Sequence, residues 1–383
     1  MRAKLILLFG AIILLLAGLV SVRFGLGGKP MERPFPPPTL ESAGSPPEIL
    51  AIIQNTNSLE VQVARYKALI ERVGVEEAQE ALQNSGLPFD GQTHLLNHTV
   101  GEWLYVHEGT SGLGKCKDYF LSSCYHGFVI DAVGDGGMDA LVGVMEQCWK
   151  SGEHVAIQCS HAIGHGFLAW VGYVNLTTSL SMCDELTTKS KNFPVYNCYD
   201  GAFMENVWAV HGGGKPAPDR WVKDDDPYYP CNDSRIASKY IKGCWSNQPS
   251  LLYQRFHGDL SNVASICQTI QDKEHQETCF DGLSRQIHPL TKGSMDETFR
   301  MCGLLPKPWD EACIASNAKA SFSVGDRELP FKICGRMISG GQDRCWQDLV
   351  GIIRAYYPHA GAQRNALCGK MKDVSWKSRC IGS

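Results

Sequence analysis

The chain has 383 residues, with 36 Lys plus Arg against 40 Asp plus Glu and a formal net charge of −4. So even a balance argues against a nucleic-acid partner, which would call for a strong basic excess. At 44% hydrophobic and 20% charged residues the chain is globular, and its 16 cysteines, none in a CxxC pair, point to an oxidising compartment.

Residues 1–28 open with Arg2 and Lys4, followed by an uncharged apolar run over 5–22 and then Arg23. The run is at the short end of what spans a bilayer and longer than a usual signal-peptide core. No Ala-x-Ala site follows it. The segment is expected to be a signal anchor with its N-terminus inside, making the membrane the first partner. Residues 29–47 are proline-rich and read as a spacer holding the following domain off the membrane. That domain then faces the periplasm, the extracellular space or the secretory lumen.

Residues 48–91 hold two amphipathic, Gly-terminated stretches without cysteine, ARYKALIERVG and EEAQEALQNSG, which predict N-terminal capping helices. From 92 to 383 the cysteines fall in couples. Members of a couple lie 8 to 15 residues apart, and successive couples are separated by 21 to 24 residues, with one gap of 33. A period of about 35 residues is the mark of stacked helical hairpins. Neighbour pairing is the most economical connectivity: Cys116–Cys124, Cys148–Cys159, Cys183–Cys198, Cys231–Cys244, Cys267–Cys279, Cys302–Cys313, Cys334–Cys345 and Cys368–Cys380. Each bridge closes a short loop worth about 3 kcal/mol by the chain-entropy argument. The stretches 261–287 and 331–356 each read as helix, polar turn, helix. The expected fold is all-α, a solenoid of stacked hairpins stapled one by one, resembling tetratricopeptide-type superhelices in architecture only.

The histidines single out residues 92–210. Two positions after the second Cys of successive couples stand His126, His161, Asp200, Ser246 and Asp281. In stacked hairpins, equivalent positions form a row. His161 and His165 are four apart, so they share one helix face, and His94 and His98 repeat that spacing upstream with Glu102 one turn on. Such pairs can grip a metal ion from a rigid element. The later repeats place Ala315 and Gln347 in the same row, so the first repeats are the specialised ones. Glycines accompany the polar residues (Gly127, Gly164, Gly166, Gly201), which implies close backbone approach or room for a ligand. The motif set CYHG, HAIGHG and CYDGAFMEN is similar to one in exported proteins of unassigned activity; the resemblance covers roughly residues 92–210 and implies no reaction.

The gap of 33 places a Gly-, Pro- and Asp-rich insertion, 211–230, beside this region as a lid or a plain surface loop. Its Asp224, Asp225 and Asp226 suit calcium less than solvent. There is no GxSxG, HExxH, P-loop, CxxCH or Rossmann fingerprint. Two functions follow. The first is a metal-dependent enzyme with Fe, Cu or Zn held by His94, His98, His126, His161 and His165, acting as an oxidoreductase or hydrolase. In it Asp200 and Glu205 serve as ligand or general base and Glu102 as an orienting group. The second is a non-catalytic scaffold whose groove takes peptides or partner proteins.

Overall fold

The computed structural model describes residues 46–383 apart from 55–57, 88–90, 121, 210–218, 339 and 383. The expected anchor over 5–22 and almost all of the proline-rich spacer lie outside the described residues. No described helix is long and apolar enough to cross a membrane.

Among the described residues there are helices and no strands. Three helices, α1 (Pro46–Gln54), α2 (Leu59–Val73) and α3 (Val75–Gln83), precede the cysteine couples. Then come α4 (Gly91–Glu108), α5 (Ser123–Ser151), α6 (Glu153–Val171), α7 (Leu176–Lys189) and α8 (Val195–Trp208). The remainder is α9 (Ser238–Arg255), α10 (Leu260–Thr269), α11 (Lys273–Thr291), α12 (Met295–Cys302), α13 (Trp309–Ser323), α14 (Leu329–Arg336), α15 (Gly340–Tyr356), α16 (Ala362–Cys368) and α17 (Val374–Ile381). Several starts are coded locally: Ser58, Asp259, Asp272, Ser294 and Asp373 each accept a backbone N–H from the first turn of the helix that follows.

All eight cysteine couples form disulfides between neighbours, with Cα–Cα distances of 5.4 to 6.5 Å, and no described cysteine is free. The cysteines are buried and the bridges help fill the core. Such a set is consistent with an oxidising extracytoplasmic or secreted environment. Four couples clamp a shorter helix to the longer one after it, as α10 to α11 and α14 to α15, while Cys183–Cys198 joins two helices of 14 residues each and Cys148–Cys159 joins the second half of the 29-residue α5 to α6. The other two depart further from that plan. Cys116 follows a 3-10 turn (Gly109–Lys115), and Cys231 lies in irregular chain, because the insertion stands where a first helix would be.

The longer helices pack one on the next in the order α4, α5, α6, α8, α9, α11, α13, α15. Contacts between α4 and α5 advance in the same direction along both, from His94 with His126 to Tyr105 with Asp135. The two therefore run parallel, not antiparallel as the two arms of a hairpin would. The 3-10 turn and the irregular stretch after it carry the chain back to the starting end. α5 serves two couples: its first half carries Cys124, its second half Cys148, and Gly137, at φ 56, bends it between them.

At two crossings the helices touch backbone to backbone. A methyl group on Gly127 would lie 2.0 Å from the His98 carbonyl oxygen, and one on Gly201 would lie 1.9 Å from that of His161. Gly101 and Gly164 are the reciprocal residues, against the carbonyls of Cys124 and Cys198. The α6–α8 crossing thus repeats the α4–α5 crossing. His161 takes the place of His98, Asp200 that of His126, His165 that of Glu102 and Glu205 that of Asp131. Of the two explanations for these glycines, close backbone approach is the one observed.

The far end of this succession returns to its beginning. Tyr356 of α15 lies with its ring centroid 4.1 Å from that of His154 on α6, and its hydroxyl hydrogen-bonds Asp118. His154 Nε2 is itself 2.8 Å from Asp118 Oδ2.

Candidate metal centre

The α4–α5 glycine crossing and the packing of α6 on α5, where Gly166 meets the Val133 side chain, bring α4, α5 and α6 close enough for five imidazoles to meet. His94 and His98 on α4 lie with ring centroids 4.7 Å apart, and His126 on α5 lies 5.2 and 5.5 Å from them. On the other side of His126 stand His161 and His165 of α6, at 5.4 and 5.7 Å, with 4.8 Å between the two. His126 is the centre of the cluster and is 5% exposed. His94, His98 and His126 each offer a nitrogen within 4.8 Å of the others, a spacing from which three imidazoles can converge on one ion.

The outer edges of the rings fix the tautomers. His94 Nδ1 lies 2.7 Å from the Phe120 carbonyl oxygen, which can only accept, so Nδ1 carries the proton and Nε2 a lone pair. His161 Nδ1 lies 3.2 Å from Asp200 Oδ2, and His165 Nδ1 lies 2.9 Å from Glu205 Oε2. With a carboxylate accepting from each Nδ1–H, the neutral form of either ring would present its Nε2 as an acceptor. The two Nε2 atoms face each other at 3.1 Å. At that distance the two nitrogens are joined either by a shared proton, one ring then being an imidazolium over its carboxylate, or by a metal cation. Two nitrogens bound to one ion at about 2.1 Å stand about 3.0–3.5 Å apart.

Behind the histidines lies a second layer. Glu205 is fully buried and also accepts from the hydroxyl of Tyr173, which burial and the nearby carboxylate keep protonated. Asp200 accepts from Asn247 Nδ2 at 2.9 Å. Burial alone would raise the Asp200 carboxyl, but the hydrogen bond from His161 and the charge of Arg285 outweigh it and hold it below the usual carboxylate range. Arg285 is anchored on the Ser246 carbonyl, 2.6 Å away, and on its hydroxyl. Burial and then the surrounding rings, His94 and His161 first, push His126 well below the ordinary histidine value, so it is neutral. Its Nε2 is buried without a hydrogen-bond partner.

The residues singled out from sequence thus fall into two layers. The five histidines share one cluster. Asp200 and Glu205 lie behind α6 histidines, on the far side from the ring nitrogens that face the cluster. Glu102 stands apart, half exposed, 3.2 Å from Lys67. The described part of the insertion, 219–230, is docked: the Trp221 backbone exchanges hydrogen bonds with the Asn206 side chain, and its Nε1–H donates to the Val174 carbonyl at 2.9 Å. Asp226 caps the Tyr228 turn, while Asp224 faces solvent. Sequence reasoning missed Tyr173, Asn247, Arg285 and the Phe120 carbonyl. Only Ser246, in the row after the second cysteines, carried a signal.

The chain matches no protein-family model, no curated protein and no solved structure.

Proposed function

We propose that this chain is an extracytoplasmic metalloprotein, tethered by its N-terminal apolar segment, in which a solenoid of disulfide-stapled hairpins holds a transition-metal ion in the five-histidine cluster. The observation that carries the reading is the facing pair of ring nitrogens, His161 Nε2 and His165 Nε2, each ring oriented by a carboxylate on its other nitrogen. Carboxylate–histidine–metal arrays are built in this way, the carboxylate fixing the ring and raising its donor strength. An all-nitrogen set with carboxylates behind it suits copper, zinc or iron and disfavours calcium or magnesium.

Copper or iron at this centre would exchange electrons with an exported substrate; zinc would lower the pKa of a bound water for hydrolysis. In either case Asp200 and Glu205 act as orienting groups rather than as ligand or base, because the His161 and His165 Nδ1 protons occupy them. The test is metal analysis of the full chain purified in detergent without a histidine tag. One or more equivalents of Cu, Zn or Fe, reduced in the His161→Ala/His165→Ala variant, support the reading. A metal-free protein that takes up none of the three on addition overturns it.

A second reading, a partner-binding scaffold, draws on the exposed side chains of Trp170, Val174 and Trp208 near the ends of α6 and α8. A metal-free, stable protein would favour it.

A further inference from the structure

Four exposed apolar side chains gather at one end of the helices that carry the histidines: Val106 (69% exposed), Trp170 (53%), Val174 (55%) and Trp208 (42%). α4, α5, α6 and α8 run parallel, so their C-terminal ends lie together. Tyr105 reaches Asp135, a methyl group on Gly137 would lie 3.4 Å from the Trp170 ring, and His165 meets Glu205 three residues before Trp208. Trp221 links the Val174 carbonyl to Asn206 and completes the row. The described chain also starts at this end. α2 runs parallel to α4, from Gln62 with Gln92 to Lys67 with Glu102, and Glu48 in the first turn of α1 pairs with Arg72 in the last turn of α2. Residues 23–45 lead from there back to the apolar run over 5–22 and reach at most about 80 Å. A tether of that length sets an effective concentration on the order of millimolar, so a few interfacial side chains suffice to seat the domain.

We propose that this face rests on the surface of a zwitterionic lipid bilayer, with Val106, Trp170, Val174 and Trp208 at headgroup level. Exposed Trp at helix ends suits that layer, where the apolar ring and its N–H both find partners. Trp170 lies five residues past His165, about 7.5 Å along α6, so the histidine cluster stands close above the membrane. The choice of lipid follows from Asp135 and Asp139, both exposed beside Gly137, with only Lys189 near Asp139 at 3.6 Å. Anionic headgroups would repel them. The proposal rests on the membrane tether of the reading above and not on its metal.

The experiment reconstitutes the full chain in vesicles of phosphatidylcholine or of its brominated form, which quenches nearby tryptophan emission. The first Trp in the chain is Trp103, so the apolar run and the spacer contribute no signal. About a fifth of the emission, the share of two among nine Trp, should be lost in brominated vesicles. The Val106→Asp/Val174→Asp variant keeps every Trp and should lose the quenching while staying membrane-bound. Leu304→Asp/Val374→Asp, at apolar side chains exposed on later repeats, should keep it. Disulfide mapping and circular dichroism confirm that each variant is folded. Flotation before and after a carbonate wash reads the tether separately. A chain that floats through the wash unquenched, or is quenched as strongly after Val106→Asp/Val174→Asp, overturns the docking while the tether stands, and leaves the face to a protein partner. A quenched chain that carbonate strips away supports the docking and overturns the tether; one that never floats overturns both. Brominated phosphatidylglycerol at low salt should quench less, and equal quenching would overturn the choice of lipid.

Discussion

His165 Nδ1 and Glu205 Oε2 are 2.9 Å apart in a buried position, and the second oxygen of the same carboxylate accepts from the Tyr173 hydroxyl. Both oxygens are therefore committed. Glu205→Gln keeps the shape but presents an amide N–H₂ to one of two donors. Metal affinity is expected to fall by about 10- to 100-fold with the fold retained, measured by competition with a chromophoric chelator. Unchanged affinity would remove Glu205 from the site.

The disulfides give a prediction about stability. Replacing Cys267 and Cys279 by Ser opens a bridge spanning 12 residues and is expected to cost about 3 kcal/mol in urea unfolding. Mass spectrometry of a non-reduced digest should recover neighbouring pairs throughout 116–380. Abundant non-neighbour pairs would contradict the structure.

The glycine crossings allow a sharper test. Gly201→Ala places a methyl group 1.9 Å from the His161 carbonyl oxygen, so the helices must part. A loss of about 3 kcal/mol is expected, along with displacement of His161 from its partners. Gly143→Ala on α5, where a methyl group meets nothing within 4 Å, should be neutral or slightly stabilising.

Asp131 gives the pH dependence. It occupies the place in the α4–α5 crossing that Glu205 holds in α6–α8, but it faces Glu102 where Glu205 faces His165. Burial, then Glu102, push its carboxyl up to about 6. The folded chain thus binds this proton more tightly than the unfolded chain, so stability falls as pH rises from about 4 to about 6 and stays lower above. Asp131→Asn should be more stable than the parent at pH 7.5 by on the order of 2 kcal/mol and equal to it near pH 4. Equal stabilities at pH 7.5, by chemical denaturation, would refute this.

The cysteine period made most helical pairs legible because a staple between two helices sits where they meet, which ties spacing to geometry; Cys116 and Cys231, outside α-helices, kept the period without the pair. The adjacency of His126 and His161 followed from the same period. The direction of α4 was hidden, since an amphipathic helix reads the same whether its neighbour runs with it or against it; the turn after Glu108 decides. Partners such as the Phe120 carbonyl are backbone atoms, which no residue type encodes. Tyr173 reaches Glu205 from a 3-10 turn without periodicity, and Arg285 acts across two helices through Ser246.

Tyr356 changes what removal of the C-terminal helices would do. In an array where each repeat touches only its neighbours, trimming the end subtracts one repeat and leaves the rest as it was. Here α15 rests on His154 and Asp118, at the entrance to the helices that carry the histidines. The earliest repeats to be synthesised thus lack part of their lining until nearly the last one arrives. Truncation before α15 would therefore uncover His154 and Asp118 as well as remove its own helices.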